Sequence, residues 1–239
     1  EFLYKDKNLL TILIATTLRG YNLGFMGVFL GVYFYFIGLS DLKFGIALSC
    51  VTLSGALSNL FVYFFKNIIS RKQFLIIMSV SSIIGGFIFL VTENYYLILL
   101  ASLLSISSIT GGDRTGITSV EIPIISKLVE LKKQTSAYSV YNFLPMISKI
   151  IGTSILLIVP ILTSVTELKT KTVYSILLTI YIVITILQTL VYNFLDHRIE
   201  AKEKIQKKIS KIKNNESSLI IIITFLFAID SFGGGFIAR

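Results

Sequence analysis

The chain has 239 residues and little of what most catalytic and redox chemistry is built from. It carries one cysteine, Cys50, and one histidine, His197. A disulfide framework within the chain is excluded, and a zinc, haem or iron–sulfur site would have too few Cys and His donors. No metal and no cofactor is therefore expected. Neither G-x-S-x-G nor D-x-x-D occurs, so a membrane-embedded hydrolase or a paired-Asp enzyme has little to be assembled from. Tryptophan is absent, which leaves any aromatic belt at a membrane boundary to Tyr and Phe. Charged residues make up only 15% of the chain, too few to cover the surface of a soluble domain this size.

What is present is apolar. The hydrophobic fraction is 54% and the mean hydropathy is +0.82, which is the composition of an integral membrane protein. Seven apolar segments are long enough to span a bilayer: 9–37, 44–65, 73–92, 95–126, 137–162, 171–195 and 218–239. All are expected to be helices, because a lipid-embedded segment must satisfy its own backbone hydrogen bonds. The ten-residue alternation of a membrane β-barrel is missing. Lys5 and Lys7 precede the first apolar run much as in a signal peptide. The run continues to Ile37 with no A-x-A site, so a retained span is the better reading. The chain lacks an initiator Met and stops at Arg239 within an apolar stretch, and it is expected to continue beyond it.

The net charge of +9 is laid out as topology. Lys5, Lys7, Lys66, Arg71, Lys72, Lys127, Lys132 and Lys133 fall on one side of the membrane, with seven more between Arg198 and Lys213. The other side has Lys43, Lys169 and Lys171. The positive-inside rule makes the N-terminus cytoplasmic in a multi-pass protein of the cell membrane. A nucleic-acid partner is not expected.

Three charges lie deep in apolar segments. Arg19 sits about ten residues into the first span, where a charge costs roughly 3 kcal/mol or more unless it faces protein or water. Its surroundings, LRGYNLGFMG, return 211 residues later as IDSFGGGFIA, which aligns Arg19 with Asp230 and suggests a weak internal repeat. A pair or shared site between these two charges is one expectation; separate local partners are the other. Lys149, beyond a mid-helix Pro145, is close to mid-bilayer and reads either as a cavity residue or as half of a buried ion pair. Gly20, Gly24, Gly27 and Gly31 form one helical stripe, read first as a packing face and second as a substrate-lining one. In the fourth segment Gly111-Gly112 precede Asp113 and Arg114, and Glu121 follows two turns on. Arg114 lies about 28 Å along the helix from Tyr95, near the inner end. These charges read equally as a gate or as an interfacial ion pair. Residues 196–217 read as a basic amphipathic helix on the inner leaflet, with Leu195, Ile199, Ile205, Ile209 and Ile212 on its apolar stripe.

Six spans, a basic inner loop and a seventh span echoing the first resemble the layout of a major facilitator superfamily transporter. The loop Tyr63–Lys72 is similar to the G-x-x-x-D-R-x-G-R-K signature of that family at Arg71 and Lys72. Tyr63, Asn67 and Ser70 stand where Gly, Asp and Gly belong. Gly111-Gly112-Asp113-Arg114 resembles the start of a fourth-helix G-x-D-R-G-P signature, with Thr115 and Gly116 following the Arg so that the Pro is missing, and the G-P-x-x-G-G motif of drug–proton antiporters is absent. The resemblance implies an all-α fold: a six-helix bundle over residues 1–195, the central loop over 196–217, and the start of a second bundle over 218–239. It implies alternating access for a small solute bound between the bundles, with a C-terminal half still missing. On that basis Arg19, Lys149 and Asp230 are the expected translocation-path residues. Asp113, Arg114, Glu121, Arg71 and Lys72 are gate or coupling residues, and Asp230 is the candidate proton carrier. Arg71 and Lys72 also read as ordinary topology-setting charges. The competing reading is a non-transporting scaffold, a subunit or a membrane-embedded enzyme.

Overall fold

The first helix is started by Asp6, whose carboxylate accepts from the backbone N–H groups of Asn8 and Leu9 at 2.8 and 3.3 Å, satisfying two donors that a helix leaves orphaned. The computed structural model describes residues 6–105, 115–165 and 169–200. Helix α1 runs Lys7–Phe36 and ends where Gly38 turns the chain with a φ of 72°, a left-handed value that favours glycine. Then come α2 (Asp41–Phe65), α3 (Arg71–Val91), α4 (Tyr95–Leu104), α5 (Gly116–Leu128), α6 (Gln134–Ser154), α7 (Ile158–Val165) and α8 (Thr170–Asn193). Ser70 and Gln73 form a reciprocal capping box at the start of α3, and Asn94 caps α4 through the Tyr96 N–H. No strand occurs among the described residues.

The order reproduces five of the expected segments as membrane-length helices. Helices α1, α2, α3, α8 and the stretch Leu131–Val165 are long and apolar enough to cross a membrane, and α4 is a shorter apolar helix. Helices α4 and α5 occupy the two ends of the fourth expected span. Between them, Gly111, Gly112, Asp113 and Arg114 lie outside the described residues, as do the seventh span, Asp230 and residues 201–217. The fifth span is not one uninterrupted helix. Helix α6 passes through Pro145, tightens to a 3-10 turn at Ile155–Leu157 and resumes as α7. The described residues belong to one compact unit that ends at Glu200.

Helix α1 is the centre of this unit and packs most closely on α6. A Cβ on Gly20 would lie 2.6 Å from the Pro145 backbone, and one on Gly24 would run into the Lys149 carbonyl. The approach is mutual, since a Cβ on Gly152 of α6 would meet the Tyr21 carbonyl. Thr153 fastens the contact by donating to the Gly24 carbonyl at 3.0 Å. Small residues make this possible where lipid supplies no hydrophobic drive between helices. Gly27 is partly buried further along the same helix, and a Cβ on Gly31 would meet nothing within 4 Å.

Two apolar clusters fill the unit. One gathers Leu9, Ile12, Phe74, Met78, Ile124, Tyr141 and Tyr192 near the N-terminal end of α1. The other, at the far end, contains Phe25, Phe29, Tyr33, Phe34, Phe89, Tyr174 and Tyr181. Between them on α1, α3 and α8 come Arg19, Asn22, Ser79, Ser82, Thr185 and Gln188, all buried. The unit therefore has a polar layer sandwiched between two greasy ones.

Candidate functional site: a buried ion pair between four helices

Arg19 rises from α1 into the polar layer. One terminal nitrogen, Nη2, donates to Glu121 Oε2 of α5 at 2.6 Å. The same nitrogen reaches the Thr16 hydroxyl, one turn back on α1, at 2.8 Å and the Tyr141 hydroxyl of α6 at 3.2 Å. The Tyr141 hydroxyl in turn donates to Glu121 Oε2 at 2.7 Å, and Tyr192 of α8 donates to Glu121 Oε1 at 2.6 Å. The Glu121 side chain is fully buried and that of Arg19 is 6% exposed. One carboxylate thus collects donors from α1, α6 and α8 while sitting on α5. A buried ion pair holds only with good geometry and further hydrogen bonds to its remaining lone pairs, and this site provides both.

Beside the pair the polar layer continues. Asn22 donates through Nδ2 to the Thr185 hydroxyl at 3.0 Å. A cavity of about 20 Å³ opens among Arg19, Asn22, Ser79, Ser82, Thr185 and Gln188, room for roughly one water. Asn22 Oδ1 is buried there with no hydrogen-bond partner among the described residues, so the cavity contains an acceptor that a water would satisfy.

At the N-terminal end of the bundle, basic residues hold the segment that follows α8. The Glu200 carboxylate accepts from the backbone N–H groups of Arg71 and Lys72 at 2.9 and 3.3 Å, capping α3. Arg71 Nη1 donates to the Ile199 carbonyl at 2.9 Å. Lys72 Nζ reaches the carbonyls of Asn193 and Leu195 at 2.6 and 2.9 Å. Lys127 grips the Arg198 carbonyl at 2.5 Å and also that of Glu200, and the Asp196 N–H donates to Asn8 Oδ1 at 2.9 Å. Leu195 and Ile199 are buried in the apolar cluster beneath. The chain enters the region expected to be an amphipathic helix through a 3-10 turn at His197–Ile199, and residues 201–217 of that region lie outside the described residues.

Of the residues singled out in the sequence, Arg19 and Glu121 come together, which their positions in separate helices gave no means of seeing. Lys149 is partly buried on α6, two turns or about 12 Å beyond Tyr141, where its carbonyl faces Gly24. Arg71 and Lys72 engage the chain just after α8. Asp113, Arg114 and Asp230 lie outside the described residues. Tyr141 and Tyr192 went unnoticed, because two tyrosines among twelve carry no mark of their own. Glu121 had a signal in SVEIPII, where it is a lone carboxylate in an apolar run.

No protein-family model matches the sequence, and no curated protein matches it either. Among solved structures, the chain resembles the crystal structure of a peptide transporter, POT, a point-mutant form in complex with sulfate. The TM-score is 0.57 at 12% identity, over 96% of this chain and 47% of that one. The chain therefore spans about half the length of the transporter it resembles. At this identity the likeness concerns the fold alone: the described residues form an all-helical bundle with five helices long and apolar enough to cross a membrane.

Proposed function

We propose that this chain is the N-terminal half of a major facilitator superfamily transporter that moves a small solute across the cell membrane by alternating access. The observation that carries the reading is the Arg19–Glu121 pair with Tyr141 and Tyr192. A scaffold gains nothing from a buried charge pair that hydrophobic residues could replace without loss of stability, whereas transporters place ionisable residues in their spans for solute and proton handling. The fold and the half-length coverage support the same conclusion. A second bundle completes the machine, and the solute binds between the two near mid-bilayer.

In this reading Arg19, Lys149 and Asp230 belong to the translocation path. Glu121, Asp113, Arg114, Arg71 and Lys72 act in gating or coupling, and Asp230 carries the proton. The N-terminus faces the cytoplasm. Exposed Ser119 of α5 is hydrogen-bonded to Asn59 of α2 at 2.6 Å, and Asn142 of α6 is exposed. Polar groups of that kind suit the wall of an aqueous path.

The test is transport by the complete protein in proteoliposomes, with a pH gradient imposed and peptides, amino acids, sugars and organic anions offered in turn. One class is expected to drive proton flux, and Asp230→Asn is expected to abolish the pH dependence. If no class moves in either direction, the transporter reading fails and a scaffold or partner-subunit role replaces it. If uptake persists with unchanged pH dependence in Asp230→Asn, the proton-carrier assignment alone is wrong.

A further inference from the structure

A second cavity, of about 250 Å³, opens at the end of the bundle remote from the N-terminus, between the last turns of α1 and α3 and the first turns of α8. Its wall includes Tyr33, Phe36, Phe89 and Tyr174, with Glu93 and Lys171 at the rim. The rings stand edge-on to one another. Phe36 and Tyr174 are 5.0 Å apart at 89°, Tyr33 and Phe89 6.1 Å at 79°, and Tyr33 and Tyr174 6.5 Å at 74°. Tyr33 is locked in place by donating its hydroxyl proton to the Phe89 carbonyl at 3.1 Å. Tyr33 and Tyr174 are each 6% exposed, so this aromatic corner is packed against the protein.

The rim carries both signs of charge. Lys171 Nζ lies 2.7 Å from Glu93 Oε1, and the two side chains are 69% and 51% exposed. A pair so open to solvent contributes little to stability, but it keeps a cation and an anion fixed within reach of an incoming group. Aromatic faces beside a carboxylate suit an ammonium. An ammonium of Lys171 suits a phosphate. Val91, which lines the cavity, and Phe87 of α3 and Ile176 of α8 present apolar side chains outward. The volume is somewhat below the roughly 300 Å³ at which drug-sized sites begin.

We propose that this cavity is a binding site for an ammonium–phosphate zwitterion, the headgroup of a phospholipid such as phosphatidylethanolamine. Its ammonium rests against Glu93 and the Tyr33–Tyr174 corner, its phosphate meets Lys171, and its acyl chains run down the exposed faces of α3 and α8. The site is separate from the Arg19–Glu121 layer and does not depend on the transport reading.

The experiment is native mass spectrometry of the purified full chain, taken from bilayers of phosphatidylethanolamine mixed with phosphatidylglycerol. The wild type is expected to retain the ethanolamine lipid about tenfold over the glycerol lipid, the size of one charge-assisted hydrogen bond. Glu93→Gln is expected to bring the two lipids near parity, and Lys171→Gln to lower the retention of both. Both positions are surface-exposed, and an unchanged melting midpoint in these variants shows that folding is intact. Free phosphoethanolamine distinguishes the source. If it competes as well as the lipid at equal concentration, the site takes a soluble zwitterion; if only the lipid is retained, the ligand is the membrane itself. Either result supports the proposal. Equal retention of both lipids by the wild type, together with no binding of free phosphoethanolamine, overturns it.

Discussion

Arg19 and Glu121 are 102 residues apart in the chain and 2.6 Å apart in the fold. The contact joins α1 to α5 directly, and through the hydroxyls of Tyr141 and Tyr192 it recruits α6 and α8. Four predictions follow from this layer and from the contacts that frame it.

Removing one charge is expected to be far worse than removing both. Arg19→Ala or Glu121→Ala leaves an uncompensated buried charge, at a cost of about 3–5 kcal/mol. The double replacement Arg19→Met with Glu121→Leu is expected to recover most of that loss, since an apolar pair of similar volume needs no desolvation. Melting midpoints of the detergent-solubilised protein, followed by size-exclusion chromatography, measure the difference. A double variant no better than the worse single one would contradict the geometry.

Tyr192→Phe keeps the ring and deletes the proton given to Glu121 Oε1. A hydrogen bond to a charged acceptor is worth about 1.5–3 kcal/mol, and the loss is expected in this range. Tyr141→Phe is expected to cost at least as much, because this hydroxyl both accepts from Arg19 and donates to Glu121. Denaturation of the two variants side by side gives the ranking.

Much of this architecture was legible from the chain alone. The helical segments show as apolar runs, and their order and the charge bias need no structure. Arg19 stood out because a charge ten residues into an apolar run has nowhere cheap to go. Its partner did not, since helix rotation and neighbour choice decide which face of α5 meets α1, and composition encodes neither. At the start of the stretch after α8 the sequence does not say what covers its apolar side chains, because an apolar stripe is the same whether lipid or protein covers it. Leu195 and Ile199 are covered by protein.

The glycine stripe is expected to divide by position. Gly24→Ala puts a methyl group against the Lys149 carbonyl, a backbone atom that cannot rotate away, so α1 and α6 must separate and stability falls by roughly 1–3 kcal/mol or more. Gly31→Ala meets open space and is expected to be neutral or to stabilise by up to about 1 kcal/mol through helix propensity. Opposite shifts of the melting midpoint are the sign to look for.

Glu200→Ala removes the acceptor that the first N–H groups of α3 use. A lost cap costs about 0.5–2 kcal/mol, and the segment Asp196–Glu200 is expected to loosen with it. Limited proteolysis should then cut between Leu195 and Glu200 faster than in the wild type, while Glu200→Asp is expected to retain much of the protection.

The separation between Arg19 and Glu121 also sets a timetable for synthesis. At about 5–20 residues per second, the ribosome needs on the order of 5–20 s to add the 102 residues between them. For that interval α1 holds a cation with no carboxylate to meet it. An arginine in α1 is therefore expected to stay in contact with water or polar protein until α5 is made. Tyr192 is made later still, so the layer is completed only with α8.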